Sequence, residues 1–254
     1  MNEKFEKFYT ELGESRNKTA LQTLMDDGAI ITNLEQFNDN GKTSVDIMNC
    51  YLNPFYFLDK LKINGDYLDM NIGNYLSLRY FHIDNKNIVL ELPPHTNKTT
   101  TIIAYAIYVA LFHNKDVYYY GDNDAGGLGY DLASSLPDSI KNSMDIINAL
   151  SHIHINDINN AAIDREPIFI YDCMNIDEMD IDVSNPCIII NELGDGPKYT
   201  EKLIELSKKS KRKFVQCRYS IKDLGYSMDD IIKIYKENYN EDTLKDFLLN
   251  YAFV

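Results

Sequence analysis

Lys98, Thr99 and Thr100 stand between two apolar runs, Ile88 to Leu92 before them and Thr101 to Phe112 after them. A lysine that can reach the outer phosphates of a nucleotide, beside a hydroxyl that can hold Mg²⁺, at the point where a strand gives way to a helix, is the chemistry of a phosphate-binding loop. The physical basis is the helix start. Its first amides have no intrahelical acceptor and the aligned peptide dipoles place positive charge there, so an anion is favoured. His95, Thr96 and Asn97 complete the turn, which makes His95, Thr96, Asn97, Lys98, Thr99 and Thr100 the candidate nucleotide-binding residues. The full pattern carries a glycine directly before the lysine and another upstream, and these positions hold Asn97 and Leu92.

A second group belongs to the same chemistry. The run Pro167 to Tyr171 ends in Asp172, and a carboxylate at the C-terminal end of a buried strand is where a P-loop protein places its Mg²⁺-associated acid. Thr99 and Asp172 are therefore the candidate metal ligands.

Three other patterns compete and are weaker. Gly41-Lys42-Thr43-Ser44 has a better local Gly-Lys-Thr, but Gln36 stands where the loop needs glycine, and Asn53-Pro54 leaves little room for a supporting helix. The Gly-rich segment from Gly121 to Asp131 imitates a calcium loop, yet its twelfth position counted from Asp122 is Ala133, where a bidentate glutamate is required. His152 and His154 share one face of a strand; without a third ligand at suitable spacing they read as a solvated strand face.

These groups need elements to position them. Apolar runs at 88–92, 117–120, 152–155, 167–171, 186–190 and 214–217 read as strands, with helices over 100–112 and 199–207. Strands alternating with helices predict an α/β fold with a mostly parallel sheet flanked by helices, and the Gly-rich segment after Tyr120 predicts a loop at a strand's C-terminal end, where such sheets bind ligands. Residues 53–81 read as two amphipathic helices joined by a polar loop, residues 2–26 as charged helices, and Met228–Tyr239 and Thr243–Tyr251 as terminal helices. This divides the chain into an N-terminal helical docking region (1–52), a P-loop NTPase-like core (53–220) and a C-terminal helical subdomain (221–254).

Composition sets outer bounds. Of 254 residues, 25 are basic and 39 acidic, giving a formal charge of −14, which opposes unaided binding to a nucleic-acid backbone. Any DNA contact is expected to be local or supplied by a partner, with Lys208, Lys209, Lys211, Arg212 and Lys213 as the one basic cluster. Cys50, Cys173, Cys187 and Cys217 lack zinc-ligand spacing and read as reduced thiols. No run approaches membrane-spanning length, so a cytoplasmic protein is expected.

Taken in order, YLNPFYFLDKLKI, IVLELPPHTNKTTTIIAYAIYVALFHNKDVYYYG, LPDSI, IHINDINNAAI, PIFIYDCMNI and KSKRKFVQC resemble the ATPase domain of the large terminase subunit of tailed bacteriophages, a DNA-packaging motor. The resemblance covers about residues 50 to 254 and implies a phage protein in the host cytoplasm that binds ATP and Mg²⁺ and works with packaging proteins or as a homo-oligomer. It further implies a divergent member without the family's nuclease domain. Lys98, Thr99 and Thr100 match the family's loop, whereas Pro94 stands where it has a triggering arginine and Asn97 where it has glycine. Asp172 matches its Mg²⁺-associated aspartate, and Cys173 stands where a catalytic glutamate is expected. The coupling motif falls on Cys217-Arg218-Tyr219-Ser220-Ile221, which departs from the family pattern. The expectation is a terminase-like nucleotide-binding module with weak or lost hydrolysis; the alternative is a non-catalytic pseudo-ATPase scaffold that binds a terminase, portal or capsid partner.

Overall fold

The computed structural model describes residues 54–68, 86–93, 96–121, 123–156, 167–172, 179–192 and 197–218, with isolated positions between 47 and 51 and between 229 and 236. A short helix α1 (Pro54–Leu58) leads into a two-stranded antiparallel hairpin, β1 (Lys62–Ile63) and β2 (Asp66–Tyr67). The apolar runs then form β3 (Lys86–Leu92), β4 (Asp116–Tyr120), β5 (Ile153–Ile155), β6 (Pro167–Asp172), β7 (Cys187–Glu192) and β8 (Lys213–Arg218). These six make one sheet in the order β5-β4-β6-β7-β3-β8, and every neighbouring pair is parallel. The expected α/β, P-loop NTPase-like architecture is the one found.

Between the strands lie α2 (Lys98–Phe112), α3 (Ala125–Ser134), α4 (Asp138–Lys141), α5 (Ile146–Ser151) and α6 (Pro197–Lys209). A parallel sheet must be covered on both faces, which is why its strands are nearly continuous in apolar residues. On one face Leu90, Leu92, Val117, Tyr119, Ile170, Ile188 and Ile190 pack with α2 and α3. On the other, Val89, Tyr171, Cys187 and Ile189 pack with Tyr199 and Leu206 of α6.

α2 is the central element of the first layer. Every residue from Thr101 to Ala110 is buried, as follows for a helix that is apolar on all sides. Its C-terminal end is fastened by an aromatic group: the Phe57 ring lies 5.7 Å from Tyr108 and 5.5 Å from Phe112. The Tyr108 hydroxyl donates to the Tyr51 carbonyl at 2.8 Å. A start held at the sheet edge and an end held by rings fix where Lys98 can stand.

Two local expectations are corrected. The first of the two helices expected in 53–81 is cut short: α1 stops after five residues, and the polar loop expected between the helices is a turn through Asn64 (φ 53°) and Gly65 (φ 92°) that closes the hairpin. Asn-Gly supplies the two positive φ values that a two-residue hairpin loop needs, so local turn chemistry overrides the apolar periodicity. The Gly-rich segment is not a loop either, since from Ala125 it is α3, with Gly129 buried against Ile103 of α2. At Gly129 an added Cβ would lie 3.7 Å from Ile103 Cγ2, an ordinary contact distance between the two helices. The 1–52 and 221–254 regions, the second helix expected in 53–81, and Gly41 to Ser44 lie outside the described residues or almost wholly so. Among the described residues no helix is long and apolar enough to cross a membrane.

Candidate functional site

The strand β3 delivers its last residues to the C-terminal edge of the sheet, and the chain re-enters at Thr96 to start α2 at Lys98. Asn97, the residue before α2, adopts φ 57° and ψ 30°. That is the left-handed region, which asparagine tolerates better than other residues bearing a Cβ. The backbone conformation that a loop glycine would supply is thus made by asparagine. Its side chain places no capping hydrogen bond on α2, so the helix start keeps its electropositive character for an incoming anion.

Two side chains close this turn onto one carbonyl. Thr96 Oγ1 donates to the Pro93 oxygen at 2.8 Å, and Lys98 Nζ donates to the same oxygen at 2.9 Å. Lys98 is only 8% exposed. A buried ammonium is costly unless carbonyls or anions compensate it, and the Pro93 carbonyl is one such partner, holding the charge at the strand end. Thr100 is half-buried in the same first turn of α2.

The neighbouring contact joins the two groups singled out from the sequence. Thr99 Oγ1 donates to Asp172 Oδ2 at 2.6 Å, across 73 residues of chain. Tyr119, fully buried on β4, donates its hydroxyl to the same oxygen at 2.8 Å. A hydroxyl that gives its hydrogen to a carboxylate retains lone pairs on its oxygen, so Thr99 Oγ and Asp172 Oδ1 together offer hard oxygen donors of the kind Mg²⁺ takes. Gly121 completes the wall: a Cβ there would meet Asp172 Cβ and the Tyr119 hydroxyl, each at 2.8 Å. Only glycine lets the chain after β4 pass so close to this carboxylate.

ATP and Mg²⁺ are the groups that the resemblance implies. The residues present fit them: a lysine and uncapped helix start for phosphate oxygens, and a threonine–aspartate pair for the metal. His95, Pro94 and Cys173 lie outside the described residues. Among the described residues no group of three or more His, Cys, Asp or Glu is gathered for a metal, and Mg²⁺ in such sites is held by few protein oxygens together with phosphate and water.

Three residues of this neighbourhood were not marked by sequence reasoning. Tyr119 and Gly121 act through register, which a linear pattern does not reveal. Asn191 is 1% exposed near the end of β7, the strand inserted between β6 and β3, and it faces Glu91 in the ladder. Its signal was available, as a polar residue ending an apolar strand in the manner of Asp172. The expected coupling segment begins instead on β8, which flanks β3 on the side away from β6.

Other candidates go elsewhere. His152 Nδ1 and Asp116 Oδ1 lie 2.7 Å apart where β4 begins, at the sheet edge opposite Asp172. His154 stacks on Tyr118 at 4.6 Å, so the two histidines are half-buried structural groups with separate partners, where a solvated face was expected. The basic cluster also sits at that opposite edge: Lys209 pairs with Glu205 at 2.5 Å, and Arg212 donates to the Ser184 carbonyl. Cys50, Cys187 and Cys217 are free thiols and buried.

Compared with known protein families and with curated proteins, the chain matches none.

Proposed function

We propose that this chain is a nucleotide-binding module of the large-terminase type, associated with viral DNA packaging, which takes ATP and Mg²⁺ between the Thr96–Thr100 turn and Asp172. The observation that carries the reading is the 2.6 Å bond from Thr99 to Asp172, because it joins the phosphate loop to the acid of another strand at the sheet edge where such sheets bind ligands. In this reading Lys98 holds outer phosphate oxygens, the first amides of α2 hold the inner ones, and Thr99 with Asp172 orients the metal. Bound Mg²⁺ neutralises charge on the phosphates. Hydrolysis is weak or lost, since a water-activating carboxylate contributes about 10² to 10⁴-fold and Cys173 stands at its place. The acidic chain then meets DNA locally or through packaging proteins or further copies of itself, in the host cytoplasm.

A second reading is a scaffold that keeps the fold and binds a terminase, portal or capsid partner. It is favoured by the turn satisfying itself on the Pro93 carbonyl. Equilibrium titration with ATP and Mg²⁺ separates the two. The unmutated protein binds, and Lys98→Ala weakens binding by about tenfold or more, the scale of a charged hydrogen bond. No binding by the unmutated protein leaves only the scaffold.

A further inference from the structure

Beside the first turn of α2 lies a cavity of about 200 Å³. Among the described residues it is lined by Ile63, Asp66, Tyr67 and Leu68 of the hairpin and by Asn97, Thr100 and Thr101. It is smaller than the roughly 300 to 1,000 Å³ of sites that enclose a whole drug-sized ligand, so it suits one ring system and not an entire nucleotide. It adjoins the Thr96–Thr100 turn at Asn97 and Thr100.

Its chemistry is that of a base site. Thr101 is 2% exposed, and its Oγ1 is buried with no hydrogen-bond partner among the described residues. An orphan hydroxyl costs about 1–3 kcal/mol, and a ligand atom can recover that cost. Tyr67 is 66% exposed, a large aromatic surface at the rim, of the sort on which a nucleobase stacks for about 1–3 kcal/mol. Lys62 Nζ sits 4.5 Å from the Tyr67 ring centroid and keeps positive charge beside a ligand that carries phosphates. The ionised Asp66 carboxylate accepts hydrogen bonds and donates none; it repels a phosphate and takes an amino group. Ile63 and Leu68 supply the apolar wall.

We infer that the β1–β2 hairpin is the base-recognition element of the nucleotide site, seating an amino-bearing purine between Tyr67 and Thr101 with Asp66 on its amino edge. This rests on the nucleotide reading above. The Asn64-Gly65 turn sets the register that brings Asp66 and Tyr67 to the cavity. A separate element, α2, holds the phosphates.

The test compares ATP, inosine triphosphate and inorganic tripolyphosphate by equilibrium titration in Mg²⁺. The unmutated protein binds ATP at least tenfold more tightly than tripolyphosphate, with inosine triphosphate, which lacks the amino group, between them. Tyr67→Ala and Thr101→Val bring ATP down towards tripolyphosphate and leave tripolyphosphate itself unchanged; Thr101→Val unfolds at the same denaturant concentration or a higher one. Equal affinity of the unmutated protein for ATP and tripolyphosphate, or an ATP preference that survives both substitutions, overturns the base site while the phosphate loop stands. Failure of all three ligands to bind overturns the nucleotide reading and this inference together.

Discussion

At Asn97 the sequence pattern reports a missing glycine, and the backbone shows a residue in the left-handed conformation, φ 57°, that glycine would have adopted. For most residues bearing a Cβ this region costs roughly 1–2 kcal/mol. Asn97→Val is therefore expected to lower unfolding free energy by about that amount, while Asn97→Gly stays within about 0.5 kcal/mol, both read from denaturant midpoints at constant m. A neutral valine would show that the turn does not need the left-handed residue. Lys98, Thr99 and Asp172 were legible in sequence because residue type and position at element ends carry their meaning. Asn97 was misleading because a residue's identity does not state its φ. Tyr119 was not legible, since its bond to Asp172 exists only once β4 and β6 are side by side.

At the scale of elements, the strands read well because a parallel sheet buried on both faces leaves unbroken apolar runs. Turns and glycines read less well. The polar loop expected around Asn64-Gly65 is a hairpin turn, and the glycines after Asp124 lie in a helix, α3. Gly121 is a glycine that a close approach does require, as a gap beside the Asp172 carboxylate. Gly121→Ala would drive a Cβ to 2.8 Å from both Asp172 Cβ and the Tyr119 hydroxyl. Overpacking of this kind costs about 1–3 kcal/mol, and it displaces Asp172 from Thr99. The expected result is a lower unfolding midpoint together with weaker Mg²⁺-dependent ATP binding; loss of neither would mean that the strand end yields without consequence.

For the whole molecule, the strand order places β7 between the strand of Asp172 and the strand of the phosphate turn. That order could not be read from the chain, because each strand's neighbours depend on crossovers that apolar runs do not encode. The packed core also sets the alkaline limit. Burial pushes the Cys187 thiol up from 9.0 to about 12 and the Cys217 thiol to about 11. Burial also raises Tyr108 and Tyr171 above their usual range. The unfolded chain releases these protons near the ordinary values while the fold retains them, so their contribution is full below about pH 9 and is lost as pH rises through 9 to 12. Unfolding midpoints should fall across that window; a flat profile would mean that these groups are open to water.

Thr99 and Asp172 are the centre of the proposed magnesium–nucleotide site, and the most direct measurement is calorimetric titration of ATP into the unmutated protein and into Asp172→Asn, with Mg²⁺ and with chelator. The site predicts that Mg²⁺ tightens binding to the unmutated protein and that Asp172→Asn, which loses the carboxylate charge and keeps the side chain's size, erases the difference. Equal affinity with and without Mg²⁺ in the unmutated protein, or a Mg²⁺ effect that survives in Asp172→Asn, would contradict it.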